Sequence, residues 1–591
     1  MHKIFNTISA ALGHPWLPAF AVLLAVVLTL STLWNGFCLD DNLHRLIFKG
    51  DTSLVPKSAS PLNLFYFLSG DPEDTRRLMN TGRFSWMTNE KAKVAFFRPL
   101  SALSHDLDYM LWPDNPVLMH AQSILWLALL AAGAAVLYRA IMGAGWVAGL
   151  AAIFFAIDPG HGVTAGWLAN RNSILACLFG VLCLVCHDRW RQTGRSAWAC
   201  LGPLLFILSL LSAEAGIATA AYLFAYALVL QSGPLKTRLA GLLPYVVIVV
   251  VWRAAYTLMG CGAGDLMGFY VDPVHDPLVY LKAICMRTPV YLLGQFAAPP
   301  LFFIVFAPRL FLYAGVVFTV LLFCILVPLI QHDRILRFWT AGTLLAILPV
   351  CAVHPEDRNL MFVSVGAAAL MAQAFFCFRN KQCRPQSRLW KQAAWLLFGQ
   401  FFLMHGLLAP MGYLQGNVGI RHMQDAVDQV SATLPSGPES LHRTMVIINN
   451  PYAFLFVGNV MTSRALQQQF NPLISLISGK NALAVTRLDA KTLKIVLDQS
   501  AFKEMNFYLL DKNSLRHAGD KVELADMSVE VLGEFDGIPS EVLFRFKVPL
   551  EDPRFLWLCW GKNGYVPFIL PAVGEIVKLK EAVWNFKKAD A

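Results

Sequence analysis

The sequence predicts a mainly α, polytopic helical membrane protein that carries a C-terminal mixed α/β domain outside the membrane. Three observations predict it. Hydrophobic residues make up 56% of the 591 and charged residues only 15%, which is too apolar for a soluble chain and too interrupted for a single span. Apolar runs of spanning length recur from residue 16 to residue 413. Beyond them, short stretches alternate apolar and polar residues between turn signals. The net charge of +10 excludes no class by itself, but Lys and Arg gather in short loops between apolar runs. There they set topology and meet anionic headgroups, so no nucleic-acid partner is expected.

Taken in order, the first run, 16–37, follows a charged start as a signal peptide would. It is long, however, and no small-x-small cleavage site follows, so it reads as a retained first helix. Further runs at 117–138, 141–157, 166–186, 197–211, 215–230, 239–258, 310–330, 338–353, 360–378 and 393–413 bring the expected spans to eleven. With Lys3 inside, the loops bearing Arg139, Arg189 to Arg195, Lys236 and Arg238, Arg334 and Arg337, and Arg379 to Lys391 all fall inside. That parity requires 278–300, which carries Lys282, Arg287, Pro289 and Gln295, to be interfacial or re-entrant rather than a span. The expected protein is a multi-pass integral membrane protein of the bacterial inner membrane, with its N-terminus in the cytoplasm and its tail in the periplasm. Two domains are expected, a transmembrane one over 1–413, with 39–116 as its first outer loop, and a periplasmic or lumenal one over 414–591.

The tail opens with an amphipathic helical pattern over 423–434. It continues with alternating runs at 444–448, 492–497 and 542–546 and a turn at Asp536-Gly537, which predicts a mainly antiparallel sheet. No repeat of helical-solenoid period is visible. Most of the twelve cysteines lie inside apolar runs, where a thiol behaves as a small hydrophobe, and no disulfide framework is implied. Cys183, Cys186 and His187 spell C-x-x-C-H, but the motif ends an apolar helix and runs into the basic inner loop, the wrong side for c-type haem. No cofactor is expected.

The candidate chemistry lies on the outer face. Asp40 and Asp41 follow the first helix directly, and two adjacent carboxylates there repel one another and resist desolvation, which is better explained by chemistry than by stability. Either one can serve as a base, since neighbouring carboxylates raise each other's proton affinity. Arg98, Arg171 and Arg358 stand next to helix ends on outer segments, and the guanidinium fork suits an anionic leaving group. Arg171 is the strongest of the three, because it follows Trp167-Leu168-Ala169-Asn170 at a helix start. Glu214, in a hairpin almost too short to leave the bilayer, is a candidate for sugar contact. His161 is a candidate donor to phosphate or sugar, and His120 and Glu356 are further candidates. Asp272, His275 and Asp276 have metal-ligand types at loop spacing, but proline-bounded loops collect such residues and no metal is assigned.

Several of these residues fall in a recurring order. Trp34-Asn35-Gly36-Phe37-Cys38-Leu39-Asp40-Asp41 comes first, then Phe96-Phe97-Arg98-Pro99-Leu100-Ser101, and then Asn115-Pro116 with His120. Asp158-Pro159-Gly160-His161 with Trp167 to Arg171 follows, and Glu356-Asp357-Arg358 comes last. Over residues 16–378 the set resembles the GT-C superfamily of polytopic glycosyltransferases, particularly the protein O-mannosyltransferase-like branch that includes the TMTC proteins. The tail departs from the tetratricopeptide repeats of TMTC proteins, and Glu356-Asp357-Arg358 replaces a plainer Glu-Arg pattern.

The resemblance implies a GT-C-like transmembrane domain that takes a sugar from a polyprenyl-phosphate-linked lipid donor at the outer face. It passes that sugar to an acceptor hydroxyl on a protein, lipid or polysaccharide, with inversion and without a metal. It also implies that the first acid of the pair, Asp40, is the base, with Asp41 orienting hydroxyl groups. The nearest alternative is a ligase or polymerase of lipid-linked polysaccharide. That class is expected to carry its arginines in a late loop and to lack an acidic pair after the first helix. A secondary transporter fits less well, since the chain shows no corresponding halves.

Overall fold

A computed structural model describes the chain apart from residues 1, 265–268, 441, 452–453, 480, 499–515, 536 and 584–591, and gives the backbone alone for 2–6 and 454–456. The side chain of Lys3 and Asp536 of the expected turn therefore lie outside the described residues. The chain divides into two compact units. One comprises Met1–Phe37, Phe96–Cys261 and Val271–Arg421, and the other Cys38–Ala95, Gly262–Tyr270 and His422–Ala591.

The first unit is helical, and every one of the eleven apolar runs forms a helix within it. Among the described residues six helices are long and apolar enough to cross a membrane: Leu17–Trp34, Pro116–Met142, Leu168–Thr193, Pro308–Ile330, Asp357–Arg379 and Arg388–Ala432. The pair Trp146–Ala156 and Gly160–Gly166, bent by 49°, makes a seventh if it counts as one span. The chain is a multi-pass integral membrane protein. The remaining runs form shorter helices: Ser196–Ser212, Glu214–Leu230 and Leu243–Leu258, and Arg334–Val350. At 1.5 Å per residue a helix of that length falls short of a hydrocarbon core about 30 Å thick, which is why length alone counts fewer crossings than apolarity does. The segment expected to be interfacial or re-entrant is a helix over Pro277–Ala297 with Pro289 inside it.

One difference from the sequence reading has a plain cause. The last helix does not stop at Tyr413 and restart, but runs on through Arg388–Ala432. Apolarity fades along it, yet helical hydrogen bonding does not require apolar side chains. The segment also meets the bent pair along glycines. A Cβ on Gly162 would lie 2.2 Å from the Tyr413 carbonyl oxygen, and one on Gly166 would lie 2.4 Å from that of Asn417. Gly162 and Gly166 are spaced four apart, as are Gly412 and Gly416 on the facing helix, so the backbones touch as small-xxx-small pairs do.

Side chains seal this seam. The Asn35 amide donates to Gly166 O at 2.8 Å and to Asn417 O at 2.6 Å. The Asn417 amide donates in turn to Leu28 O at 2.6 Å and Ser31 Oγ at 2.9 Å.

The second unit is mixed α/β. Its six-stranded sheet is antiparallel, in the order Ile576–Leu579, Leu483–Arg487, Thr492–Leu497, Ile538–Phe546, Met527–Phe535 and Lys521–Glu523. Val542 stands opposite Ile495 on one side and Val531 on the other. A four-stranded sheet runs Tyr565–Pro567, Phe555–Trp560, Thr444–Asn450 and Leu473–Ser478. Here Thr444–Asn450 pairs in parallel with both neighbours. A parallel pair needs a crossover, and helix Phe454–Leu466 supplies it between Thr444–Asn450 and Leu473–Ser478. The sequence reading expected alternation. Thr444–Asn450 instead has six consecutive buried residues, as a parallel strand covered on both faces does.

Residues 38–95, most of the outer loop expected over 39–116, contribute structure of their own to this unit. They hold helices Asp40–Phe48 and Pro72–Thr81 and strands Tyr66–Ser69 and Lys93–Ala95, the last two paired antiparallel.

Candidate active site

The second unit holds the acidic pair. Asp40 and Asp41 open helix Asp40–Phe48, and the two side chains have different surroundings. Asp41 is buried, and its Oδ2 accepts the Cys38 backbone N–H at 2.9 Å, closing the turn that starts the helix. Asp40 is half-buried, and the buried Arg83 guanidinium attracts its carboxylate. Burial pulls the Arg83 group below its ordinary value, and Asp40 partly offsets this. Between Cys38 and Asp40, Leu39 has φ of 50° and ψ of −115°, a backbone region that a branched side chain rarely adopts. Gln424 holds the strained turn: its Oε1 accepts from Leu39 N at 2.8 Å and from the Asn42 amide at 3.2 Å. The sequence marks the acids but not this division between a tied-down Asp41 and an accessible Asp40.

The first unit holds the cations, in two places. Arg98 precedes Pro99 at the start of helix Pro99–Leu111 with φ −127° and ψ 56°, since a residue before proline is kept out of the helical region. Its Nε donates to Glu214 Oε2 at 2.8 Å, and its Nη2 lies 2.7 Å from the same oxygen as an ion pair. The guanidinium also lies over the Phe96 ring, 4.4 Å from its centroid. Glu214 opens a 3-10 turn directly after Ala213, which is extended, and Tyr256 OH donates to its Oε1 at 3.3 Å. Ser101 Oγ donates to Ser212 O at 2.8 Å and pins the two segments together. Arg98 and Glu214, far apart in the sequence, are thus brought into one charge-assisted pair with both side chains part-exposed, at 18% and 24%.

The second place is the Glu356-Asp357-Arg358 turn. Arg358 pairs with Glu356, and its guanidinium lies 5.0 Å above the Trp167 ring. Beside them burial pushes the His354 imidazole down to about 4 despite the neighbouring Glu356, so it is neutral at ordinary pH. Asp357, the residue that departs from the plainer pattern, accepts the Leu301 N–H on both oxygens, at 3.2 and 3.0 Å. Its task there is to hold a loop.

Three expected site residues have structural partners instead. The Arg171 side chain is fully buried. Its Nε donates to Ser123 Oγ at 2.9 Å, Nη1 to Gln122 Oε1 at 2.5 Å and to Ser104 O at 3.3 Å, and Nη2 to Met119 O at 2.8 Å. Asp108 Oδ2 stands 2.5 Å from Nη1. The expectation of Arg171 as the leading phosphate ligand is therefore corrected: a guanidinium with every corner directed at protein offers a ligand no edge. His120 is buried with Nε2 3.1 Å from Gly36 O. His161 is buried with Nε2 3.2 Å from Ser364 Oγ and its ring 4.6 Å from that of Phe155. His161 ties two helices together, His120 ties its helix to the turn after the first one, and both side chains are buried.

Sequence reasoning passed over Arg253, Tyr256 and the pairing of Asp272. Arg253 lies inside an apolar run, and its charge was the available signal, because an arginine there is costly without a partner. Asp272 accepts from Arg253 Nη2 on both oxygens, at 3.1 and 3.0 Å, so its carboxylate is engaged by a cation of the protein. Among the described residues no group of three His, Cys, Asp or Glu side chains is placed to hold a metal ion.

No protein-family model and no curated protein matches the chain. Among solved structures it is similar to the oligosaccharyltransferase of Archaeoglobus fulgidus in the apo form, at 13% identity and a TM-score of 0.40, over 78% of this chain and 64% of that one. The same enzyme tethered with an acceptor peptide containing the NVT sequon aligns at 13% identity and a TM-score of 0.36, over 78% and 63%. ArnT from Cupriavidus metallidurans bound to undecaprenyl phosphate aligns at 12% identity and a TM-score of 0.33, over 89% of this chain and 97% of that one. The chain spans less than two thirds of the length of the archaeal oligosaccharyltransferase. Likeness at this level says nothing of substrate or chemistry.

Proposed function

We propose that this chain is an integral membrane glycosyltransferase that moves a sugar from a polyprenyl-phosphate-linked donor to an acceptor hydroxyl on the outer face of a bacterial inner membrane. The observation that carries the reading is a contrast among the expected cations. Arg98 and Arg358 keep 18% and 23% of their side chains exposed, each backed by an aromatic ring and held by a carboxylate, whereas Arg171 keeps none. A guanidinium held rigidly beside apolar helices suits the phosphate of a lipid whose tail is entirely apolar.

In the proposed reaction the acceptor oxygen attacks the anomeric carbon. The carbon–oxygen bond to phosphate breaks with its electron pair remaining on phosphate, and the configuration inverts. Asp40 takes the acceptor's proton, and Asp41 keeps the turn that presents it. Arg98 and Arg358 receive the phosphate, and Glu214 or Glu356 accepts sugar hydroxyl groups. Donor, base and inversion follow the resemblance carried by the residues from Trp34 to Arg358. The acceptor is left as a hydroxyl of protein, lipid or polysaccharide.

The test is mass spectrometry of envelope glycans and glycolipids from cells with the chain, without it, and with Asp40→Asn. A sugar modification that vanishes in both altered strains is expected. Profiles that stay identical in all three overturn the proposal.

A further inference from the structure

The Arg98–Glu214 pair continues into a second guanidinium that the reading above leaves without a role. Arg253 lies one turn before Tyr256 on helix Leu243–Leu258, with its guanidinium 5.9 Å from the Tyr256 ring centroid. The same tyrosine donates its hydroxyl hydrogen to Glu214, which holds Arg98. Asp272 grips Arg253 by Nη2 alone. Asp272 is itself fixed, because its Oδ1 also accepts the Val274 N–H at 2.8 Å.

Two buried donors here have no acceptor among the described residues: Arg253 Nε and the indole Nε1 of Trp252. Trp252 stacks on Tyr256, with ring centroids 5.2 Å apart. Both are groups that only donate. A buried donor without an acceptor is a deficit that native structures rarely carry, and an arginine inside an apolar helix is costly besides. The Arg253 side chain as a whole is 27% exposed, so an anion can approach its guanidinium.

We propose that Arg253 and Trp252 form a second phosphate subsite, beside Arg98, that receives the charge which appears on the departing polyprenyl phosphate. This rests on the donor reading given above. While the sugar is attached, the lipid phosphate is a diester with one negative charge. When the bond to the anomeric carbon breaks and its electron pair stays on phosphate, the group becomes a monoester with an additional charged oxygen. One guanidinium suffices for the first state, and the second state needs more donors. Arg98 serves both states, and Arg253 with the Trp252 N–H serves the oxygen exposed by cleavage. Donors that meet charge only as it develops lower the barrier rather than tighten the ground state.

The experiment measures binding to the purified full chain in detergent, using undecaprenyl phosphate as the monoester lipid, phosphatidylglycerol as the diester lipid and inorganic phosphate as the lipid-free anion. The variants are Arg253→Gln and Trp252→Phe, the latter removing one N–H while keeping the ring. Wild type is expected to prefer undecaprenyl phosphate. Both variants are expected to lose that preference, at least tenfold for Arg253→Gln and several-fold for Trp252→Phe, while binding phosphatidylglycerol as before.

The inference is overturned if Trp252→Phe and a folded Arg253→Gln bind undecaprenyl phosphate within twofold of wild type, or lose the diester lipid equally. It is also overturned if inorganic phosphate binds as tightly as the lipid, since the subsite then reads a free anion. Wild type that binds no undecaprenyl phosphate overturns the donor reading itself, which separates the two failures.

Discussion

Replacing Arg171 by methionine should unfold the helical unit rather than disarm it. Arg171 holds Ser104, Met119, Gln122 and Ser123 and faces Asp108, whose side chain is also fully buried. The approach of Nη1 to Asp108 is close but out of line for a hydrogen bond, and among the described residues neither Asp108 oxygen has a donor. Burial accordingly pushes the Asp108 carboxyl up to about 6 from 3.8, against the attraction of Arg171.

The sign follows from proton counting. Between pH 3.8 and about 6 the folded chain keeps a proton on Asp108 that the unfolded chain has released. Stability therefore falls across that window as pH rises, by about 3 kcal/mol in all, and is level above it. Without Arg171 nothing holds the carboxyl down, so the fall continues beyond pH 6. Arg171→Met should cost about 3–5 kcal/mol at pH 8, with a smaller deficit near pH 5. Asp108→Asn should flatten the pH dependence. The assay is denaturant unfolding of the purified chain in detergent at both pH values. An Arg171→Met protein as stable as wild type at pH 8, yet unable to bind undecaprenyl phosphate, would refute the reasoning and return Arg171 to the donor site.

Four other outcomes are expected. Asp40→Asn should lower sugar transfer by about a hundredfold or more with little change in melting. Asp41→Asn, which weakens the acceptor for the Cys38 N–H, should lower stability by about 1 kcal/mol. Gly166→Val places a Cβ 2.4 Å from the Asn417 oxygen and should destabilise by roughly 1–3 kcal/mol or more, read by melting; unchanged melting would deny the close seam. His44 is buried, and burial pushes its imidazole down to about 3 although a backbone bond to Leu64 opposes this. The unfolded chain takes up a proton below pH 6.5 that the folded one refuses, so stability should drop by about 1.4 kcal/mol per pH unit as acid is added. His44→Phe should blunt the acid midpoint.

What was legible in the sequence follows the physics of each signal. Apolar runs announce themselves locally, and each of the eleven is helical. The tail's strands at 492–497 and 542–546 were visible as alternation, whereas Thr444–Asn450, covered on both faces, gave no such period. Site residues were legible by type and side but not by partner. Arg98 and Arg171 look alike in sequence, since both are arginines near helix starts. What separates them is one carboxylate at Glu214 in the first case and five scattered partners in the second. Arg253 was hidden because hydropathy averaging absorbs a single charge in a run of valines, and its partner Asp272 looked like a loop acid.

The asparagine seam also bears on how the chain is made. Asn35 reaches its acceptor on Asn417 across 382 positions of sequence, and Asn417 reaches Leu28 across 389. The first helix leaves the ribosome long before its partner is translated. Until then the Asn35 amide and the Leu28 carbonyl lack these native partners in a medium that offers few others. The early helix is therefore expected to gain its native hold only when the Asn417 helix arrives. A chain truncated before Asn417 should accordingly keep its early helices inserted yet fail to become resistant to protease, so translation of the Asn417 segment is itself a step of assembly.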